Sequence, residues 1–241
     1  MEANDTEKLD DVQEKLIRAE RLAAVGELAS SVGHELRNPL NVIRNCAYLL
    51  GMHLTEKGDE EALKSLQVLD KQIDIANRIV TDLMDFTRLQ PPSRQRIDLS
   101  SLVNESLVSA SVPEEIKVKS SLNAIRLSVH VDAEQIGRVF TNIICNACQA
   151  MNGRGDLDIS AVIEEPYVWV SFRDSGCGIN EENMAKIFEP LFTTKPKGFG
   201  LGLAISKRLV EQNEGEIIVD NQVDHGAIFR VKLPMTKRKK G

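Results

Sequence analysis

The chain has 241 residues, room for one large domain or two modest ones. At 42% hydrophobic and 27% charged it has the composition of a soluble globular protein, and no apolar run approaches the ~18–20 residues of a membrane span. The net charge of −6 gives no bulk attraction to nucleic acid. No signal-peptide pattern opens the sequence, so a cytoplasmic location is expected, either in its own right or as the soluble part of a membrane-associated sensor.

Residues 1–20 are highly charged, with apolar side chains only at Leu9, Val12, Leu16, Ile17 and a few alanines, the texture of a helical arm. From there the apolar spacing tightens through Val25, Leu28, Val32 and Leu36, and continues past Pro39 as Leu40, Ile43, Ala47 and Leu50. Steps of three and four make one stripe of a helix, and Pro39, which lacks a backbone donor, predicts a kink. The turn residues and charges of 51–60 predict a hairpin loop. A second stripe follows at Leu66, Leu69, Ile73, Ala76, Val80, Leu83 and Thr87, alternating steps of three and four as in a coiled-coil seam, until Pro91 and Pro92 stop it. Two helices cannot enclose a core, so residues 21–92 predict an all-α antiparallel hairpin that pairs with a second copy into a dimeric four-helix bundle.

The first stripe is interrupted by polar groups in "VGHELRNPL", residues 32–40. An ordinary histidine is mostly neutral at pH 7 and keeps a ring-nitrogen lone pair, so His34 has the chemistry of a nucleophile or proton carrier. Asn38 stands one helical turn on, on the same face. A lone histidine on an amphipathic helix is more often a surface residue, and His53, His130 and His225 are read that way.

After "QPPSRQR" the texture changes. A helix is expected in "IDLSSLVNESLVSA", strands at "IKVKSSL", "IRLSVHV", "LDISAVI", "YVWVSF", "GEIIVD" and "AIFRVKL", and helices over about 133–151 and 202–213. Residues 93–236 thus predict an α+β sandwich, a mixed sheet with helices on one face, ending in a basic tail at 237–241.

In the first of those later helices, Ile136, Val139, Phe140, Ile143 and Ala147 form the buried stripe, while Asn142, Asn146 and Gln149 share another face. That face suits solvent, or amide oxygens offered to a hard cation such as Mg²⁺. Next, "RDSGCG" carries Asp174, Gly176 and Gly178 at a strand end. It reads as a strand–turn, or as an acceptor for the amino group of a flat ligand with glycines allowing close approach. Then Gly198, Gly200 and Gly202 alternate just before a helix, a backbone arrangement suited to phosphate oxygens, with Thr193, Thr194, Lys195 and Lys197 adding hydroxyls and positive charge. Cys145 and Cys148 stand at C-x-x-C spacing without a second pair and read as small helix residues rather than a zinc or redox site. Cys177, inside the glycine turn, raises a minor possibility of redox control.

Taken together, "HELRNPL", the asparagine-bearing helix, D-x-G-x-G, the phenylalanine-rich "IFEPLF" and the glycine-rich "GFGLG" resemble, in order, the H, N, G1, F and G2 boxes of sensor histidine kinases of two-component systems. The resemblance runs from about residue 20 to 235. It implies a dimerisation and phosphoacceptor domain followed by an ATP-binding domain of the Bergerat (GHKL) fold. It further implies His34 as phosphoacceptor, Glu35 as the acid that holds the proton on its other nitrogen, and Asn38 as a group positioning water for dephosphorylation of the regulator. Asn146 becomes the Mg²⁺ ligand, Asn142 a support on the phosphate side, Asp174 the adenine reader between Gly176 and Gly178, Phe188 and Phe192 packing residues, and 192–202 a short ATP lid. The implied cofactors are ATP and Mg²⁺. The implied partners are a second copy and a response regulator receiver domain docking on about 41–53 and 62–73, with a sensor domain on a longer chain or a separate protein. Phe199 departs from the Thr or Ser often found between the first two glycines. Two other readings compete: a Bergerat-fold ATPase clamp without phosphohistidine, and a non-enzymatic dimeric adaptor.

Overall fold

The computed structural model describes residues 36–52, 54, 60–87, 91–122, 127–195, 200–221 and 226–236, without the side chains of 78, 79, 82, 83 and 85–87. The chain separates into two compact units, Met1–Leu89 and Gln90–Gly241. His34 and Glu35, the arm 1–20, Lys197, Gly198, Phe199, His53, His225 and the basic tail lie outside the described residues.

In the first unit, helix α1 is described over 36–52 and α2 spans Glu60–Thr87. The helix continues through Pro39, and Gly51 and Met52 are still helical, so α1 runs two residues into the expected loop. The antiparallel register is fixed by polar contacts across the pair. Arg37 donates from Nη2 to Thr81 Oγ1 at 3.1 Å, and the Arg44 guanidinium bridges Asp70 (3.4 Å) and Asp74. These exposed ion pairs contribute little energy each, about 0–1 kcal/mol, but they favour one alignment of the helices. Ala47, Ile73, Val80 and Met84 are buried, whereas Leu36, Ile43, Leu50 and Leu69 from the same stripes remain exposed. Met84 belongs to the buried side although the heptad reading passes it by.

The second unit opens with β1 (Gln95–Asp98), which was not expected, and α3 (Leu99–Ser109). The expected helix therefore begins at Leu99, where Asp98 caps it by accepting from the Ser101 N–H. There follow β2 (Ile116–Ser120), β3 (Ser128–Val131), α4 (Ala133–Ala150), β4 (Gly155–Glu164), β5 (Tyr167–Asp174), the single turn α5 (Glu181–Met184), α6 (Gly202–Gln212), β6 (Glu216–Asn221) and β7 (Ala227–Pro234). The main sheet has the order β2-β4-β5-β7-β6, parallel only between β2 and β4. β1 and β3 pair separately as an antiparallel ribbon.

Strand alternation puts Leu157, Ile159, Val168, Val170, Phe172, Phe229, Val231 and Leu233 into the core, where they meet Ile136, Val139, Phe140, Ile143 and Ile144 of α4 and Ile205 and Leu209 of α6. Phe140 and Phe172 touch with ring centroids 5.1 Å apart, tilted by 52°. This contact presses α4 against β5, the two elements that carry the asparagine face and Asp174.

The ends of α4 and α6 are joined by Asn213, which is fully buried at the C-terminus of α6. Its Oδ1 accepts from Asp132 N–H (2.8 Å), and its Nδ2 donates to Gln135 Oε1 (2.8 Å) and Leu209 O (2.9 Å). Ser93 N–H donates to Asp132 Oδ2, and Arg94 Nη2 to Gln212 O, so the incoming chain is tied to the same corner. Asn213→Ala leaves buried groups without partners and should cost about 2–3 kcal/mol. Urea unfolding followed by the fluorescence of Trp169, the only tryptophan, reads this out; a loss below about 0.5 kcal/mol would show the corner to be dispensable.

Candidate functional site

The site is built where β5 ends beside the C-terminal half of α4. Asp174 is 3% exposed, and its Oδ1 accepts from Gly176 N–H (2.8 Å) and Ala227 N–H (3.3 Å). Burial raises its pKa above the ordinary carboxylate value, and those two backbone donors partly offset the rise. Both donors converge on one oxygen, which fixes the carboxyl plane and orients Oδ2.

The loop after Asp174 is held on several sides. Ser175 N–H bonds Asp156 O, Cys177 N–H bonds Ala150 O at the end of α4, and Ile179 N–H bonds Asn221 Oδ1 at the end of β6. A Cβ at Gly176 would lie 2.8 Å from Ala150 and from Asp174 Oδ1, so any larger residue would push the loop off the helix. Gly226 is equally constrained: at φ +107° its added Cβ would sit 2.0 Å from Asp174 O. Neither Gly226 nor Ala227 was singled out in the sequence.

On α4, the asparagines have different partners. Asn142 Nδ2 donates to Ser206 Oγ (3.0 Å), and Ser206 Oγ donates to Gly202 O (2.9 Å). A Cβ at Gly202 would lie 2.7 Å from Asn142 Oδ1, so this glycine lets α6 start against α4. Asn142 is thus a tie between helices. Asn146 instead faces the segment after Phe192. Its Oδ1 accepts from Lys195 Nζ at 2.6 Å, and Gln149 Oε1 accepts from the same ammonium at 2.5 Å. Lys195 has its pKa lowered by desolvation of the ammonium, opposed by Cys145 and Cys177 nearby.

The segment bearing Lys195 closes on itself at its base, because Leu191 N–H donates to Gly200 O (3.0 Å). Thr193 shapes the turn: its Oγ1 accepts from Lys195 N–H (3.1 Å) and donates to Lys195 O (3.4 Å). Its hydroxyl is therefore engaged in the turn, while Thr194 is exposed. Gly200 has φ +69°, and among the described residues no side chain caps the start of α6, a helix N-terminus of the kind that suits an anion. Phe188 lies under Lys207 Nζ at 5.8 Å from the ring centroid. Asp174, Gly176, Gly178, Asn142, Asn146, Thr193, Lys195, Gly200 and Gly202 are all described in this second unit, and Asn38 is exposed on α1 of the first.

The cysteines take little part. Burial, and then Cys145, raise the Cys148 thiol above its ordinary value, so Cys148 is disfavoured as a thiolate. No group of three or more potential metal-ligating His, Cys, Asp or Glu side chains occurs among the described residues. A cation here would meet amide oxygens, as Lys195 does.

Two family models match the chain: the His Kinase A (phospho-acceptor) domain at residues 24–92 and the histidine kinase-, DNA gyrase B-, and HSP90-like ATPase at residues 131–237. The signal transduction histidine-protein kinase AtoS of Escherichia coli (strain K12) is 36% identical over 229 residues, covering 93% of this chain and 37% of AtoS. The sensor histidine kinase ZraS of the same organism is 34% identical over 232 residues, covering 95% of this chain and 50% of ZraS. The chain therefore spans half the length or less of these relatives. Among solved structures, histidine kinase ThkA in complex with response regulator protein TrrA matches with a TM-score of 0.62 at 26% identity, covering 97% of this chain and 68% of that one. With both family models in the expected order and a Bergerat-type sheet, the chain belongs to the sensor histidine kinases of two-component systems.

Proposed function

We propose that this chain transfers the γ-phosphoryl group of ATP to His34 and from there to an aspartate of a response regulator receiver domain. The observation that carries the nucleotide half of this reading is the buried, oriented Asp174 at the head of a loop stapled to α4, the helix whose Asn146 receives Lys195. The adenine amino group would donate to Asp174, with Gly176 and Gly178 leaving room for the ring. The phosphates would meet Lys195, Thr194 and the backbone N–H groups from Gly198 to Gly202. The two amide oxygens that hold a lysine ammonium support a cation-binding role for this face, where Asn146 would ligate Mg²⁺. The ion would supply charge neutralisation to the phosphates when bound.

The phosphoacceptor half rests on the family match at 24–92 and the H box. The Nε2 lone pair of His34 forms the N–P bond as the bond from the γ-phosphorus to the β-phosphate oxygen breaks and ADP leaves. Glu35 holds the Nδ1 proton, which fixes the tautomer. Adjacent residues do not face each other on a helix, so Glu35 acts by reaching round or through local bending at Pro39. Asn38 is exposed, four residues after His34 on the same face, and is placed to hold a water for hydrolysis of the regulator's phosphoaspartate. Asn38→Ala should cut regulator dephosphorylation about tenfold while autophosphorylation changes less than about threefold; equal losses in the two assays would remove the water-holding role.

The exposure of Leu36, Ile43, Leu50 and Leu69, apolar stripe positions that one hairpin leaves uncovered, supports a homodimer. Detection of acid-labile, base-stable phosphate on the protein tests the kinase reading against a clamp ATPase. Steady ATP hydrolysis without such phosphate would favour the clamp.

A further inference from the structure

We infer that Asn146 and Gln149 form a two-amide seat for a cation, that Lys195 occupies it before nucleotide arrives, and that Gln149 thereby sets the affinity for metal–nucleotide. This inference rests on the reading of the second unit as a Mg²⁺·ATP site. Asn146 and Gln149 stand at i and i+3 on α4, so their side chains share a face. A primary amide can present either its oxygen or its NH₂ group, and here both present oxygen to one ammonium, at 2.6 and 2.5 Å. The lysine is delivered by a built turn, since Thr193 Oγ1 bonds both the N–H and the carbonyl of residue 195. Of the two acceptors, Asn146 is the residue assigned to Mg²⁺. The sequence gives Gln149 no role beyond sharing its face.

A divalent ion and an ammonium on the same neutral amide oxygen repel each other, and Mg²⁺ holds its ligands at ~2.0–2.1 Å, so the two cations compete for Asn146 Oδ1. Entry of metal with nucleotide therefore favours release of Lys195 from Asn146. The released ammonium stays on its tether beside the phosphates, where it finds new acceptors. The seat thus keeps the amide oxygens of the empty site satisfied: a tethered ammonium pairs both, and metal–nucleotide competes with it. Among the described residues, the Gln149 side chain has no bond besides the one to Lys195. Its action on the site runs through Lys195, which makes it a positioning residue.

The prediction is a gain. Gln149→Met removes one of the two acceptors that retain Lys195 at an exposed helix position that methionine suits. Binding of Mg²⁺·AMPPNP to the full chain, measured by titration calorimetry, should tighten about three- to tenfold, the range expected for loss of one solvent-exposed hydrogen bond in the competing state. The same substitution in a Lys195→Met background should change affinity less than about twofold, because no ammonium remains to be retained. Weakened or unchanged binding in Gln149→Met, or an equal change in both backgrounds, would overturn the seat. Gln149→Ala should reproduce the gain if side-chain acceptance is what matters, and a loss in that variant would also count against it. Failure of the unsubstituted chain to bind Mg²⁺·AMPPNP would instead overturn the nucleotide-site reading beneath it.

Discussion

Asp174→Asn should remove nucleotide binding by about two orders of magnitude or more while leaving the second unit folded. The substitution keeps the shape of the side chain and an oxygen able to accept from Gly176 and Ala227 N–H. What it changes is the other atom, which becomes an NH₂ donor facing the adenine amine, so two donors meet where a donor and an acceptor met. Sites built around one buried hydrogen bond discriminate steeply for this reason. Calorimetric titration with AMPPNP reads the loss, and unchanged Trp169 fluorescence confirms that the sheet persists. Retention of affinity within about threefold would mean that Asp174 is only a loop staple.

The same residue gives a pH signature. Its folded pKa is raised, chiefly by burial, so the native state binds the proton more firmly than the unfolded chain does. Stability from this group is therefore greatest below the ordinary carboxylate range. It declines as pH rises through the interval up to the raised value and is constant above it. Nucleotide affinity runs the opposite way, falling on acidification through that raised value as the acceptor is protonated. Asp174→Asn should lose both dependences.

His34→Gln should abolish transfer of label from γ-labelled ATP to the chain, because no other side chain in the H box offers a neutral nitrogen lone pair at pH 7. AMPPNP affinity should stay within about twofold, since residue 34 belongs to the first compact unit and the nucleotide residues to the second. Persisting label on this variant would move the phosphoacceptor elsewhere. Loss of nucleotide binding would show that the two units share the site more closely than these roles require.

Much of the site was legible because its parts are local. The asparagine face of α4 follows from residues spaced by four and three, and Asp174 with its glycines follows from six consecutive residues. The illegible parts depend on contacts between distant segments. Ala227, which bonds Asp174, is 53 residues away; Asn213, which pins Asp132, is 81 away. Gln149 appeared only as a neighbour on a polar face, and nothing in its surroundings announces that a lysine 46 residues later turns to meet it. Likewise β1 is four residues with no alternation of its own, and it forms because β3 pairs with it from Gln95↔Val131 to Asp98↔Ser128. The heptad reading of α2 took in Leu69, which a single hairpin leaves exposed, and passed by Met84, which is buried, since the partner helix, not the periodicity alone, decides which side of a stripe one hairpin covers.

The central claim is that the two units cooperate in placing a phosphoryl group on one histidine. Incubation of the full chain with γ-labelled ATP and Mg²⁺, followed by peptide mapping of the modified residue, tests it most directly. The account predicts a single labelled peptide containing His34, with the label on its imidazole. Label on a serine, threonine or aspartate, or on a peptide from the second unit, would contradict it.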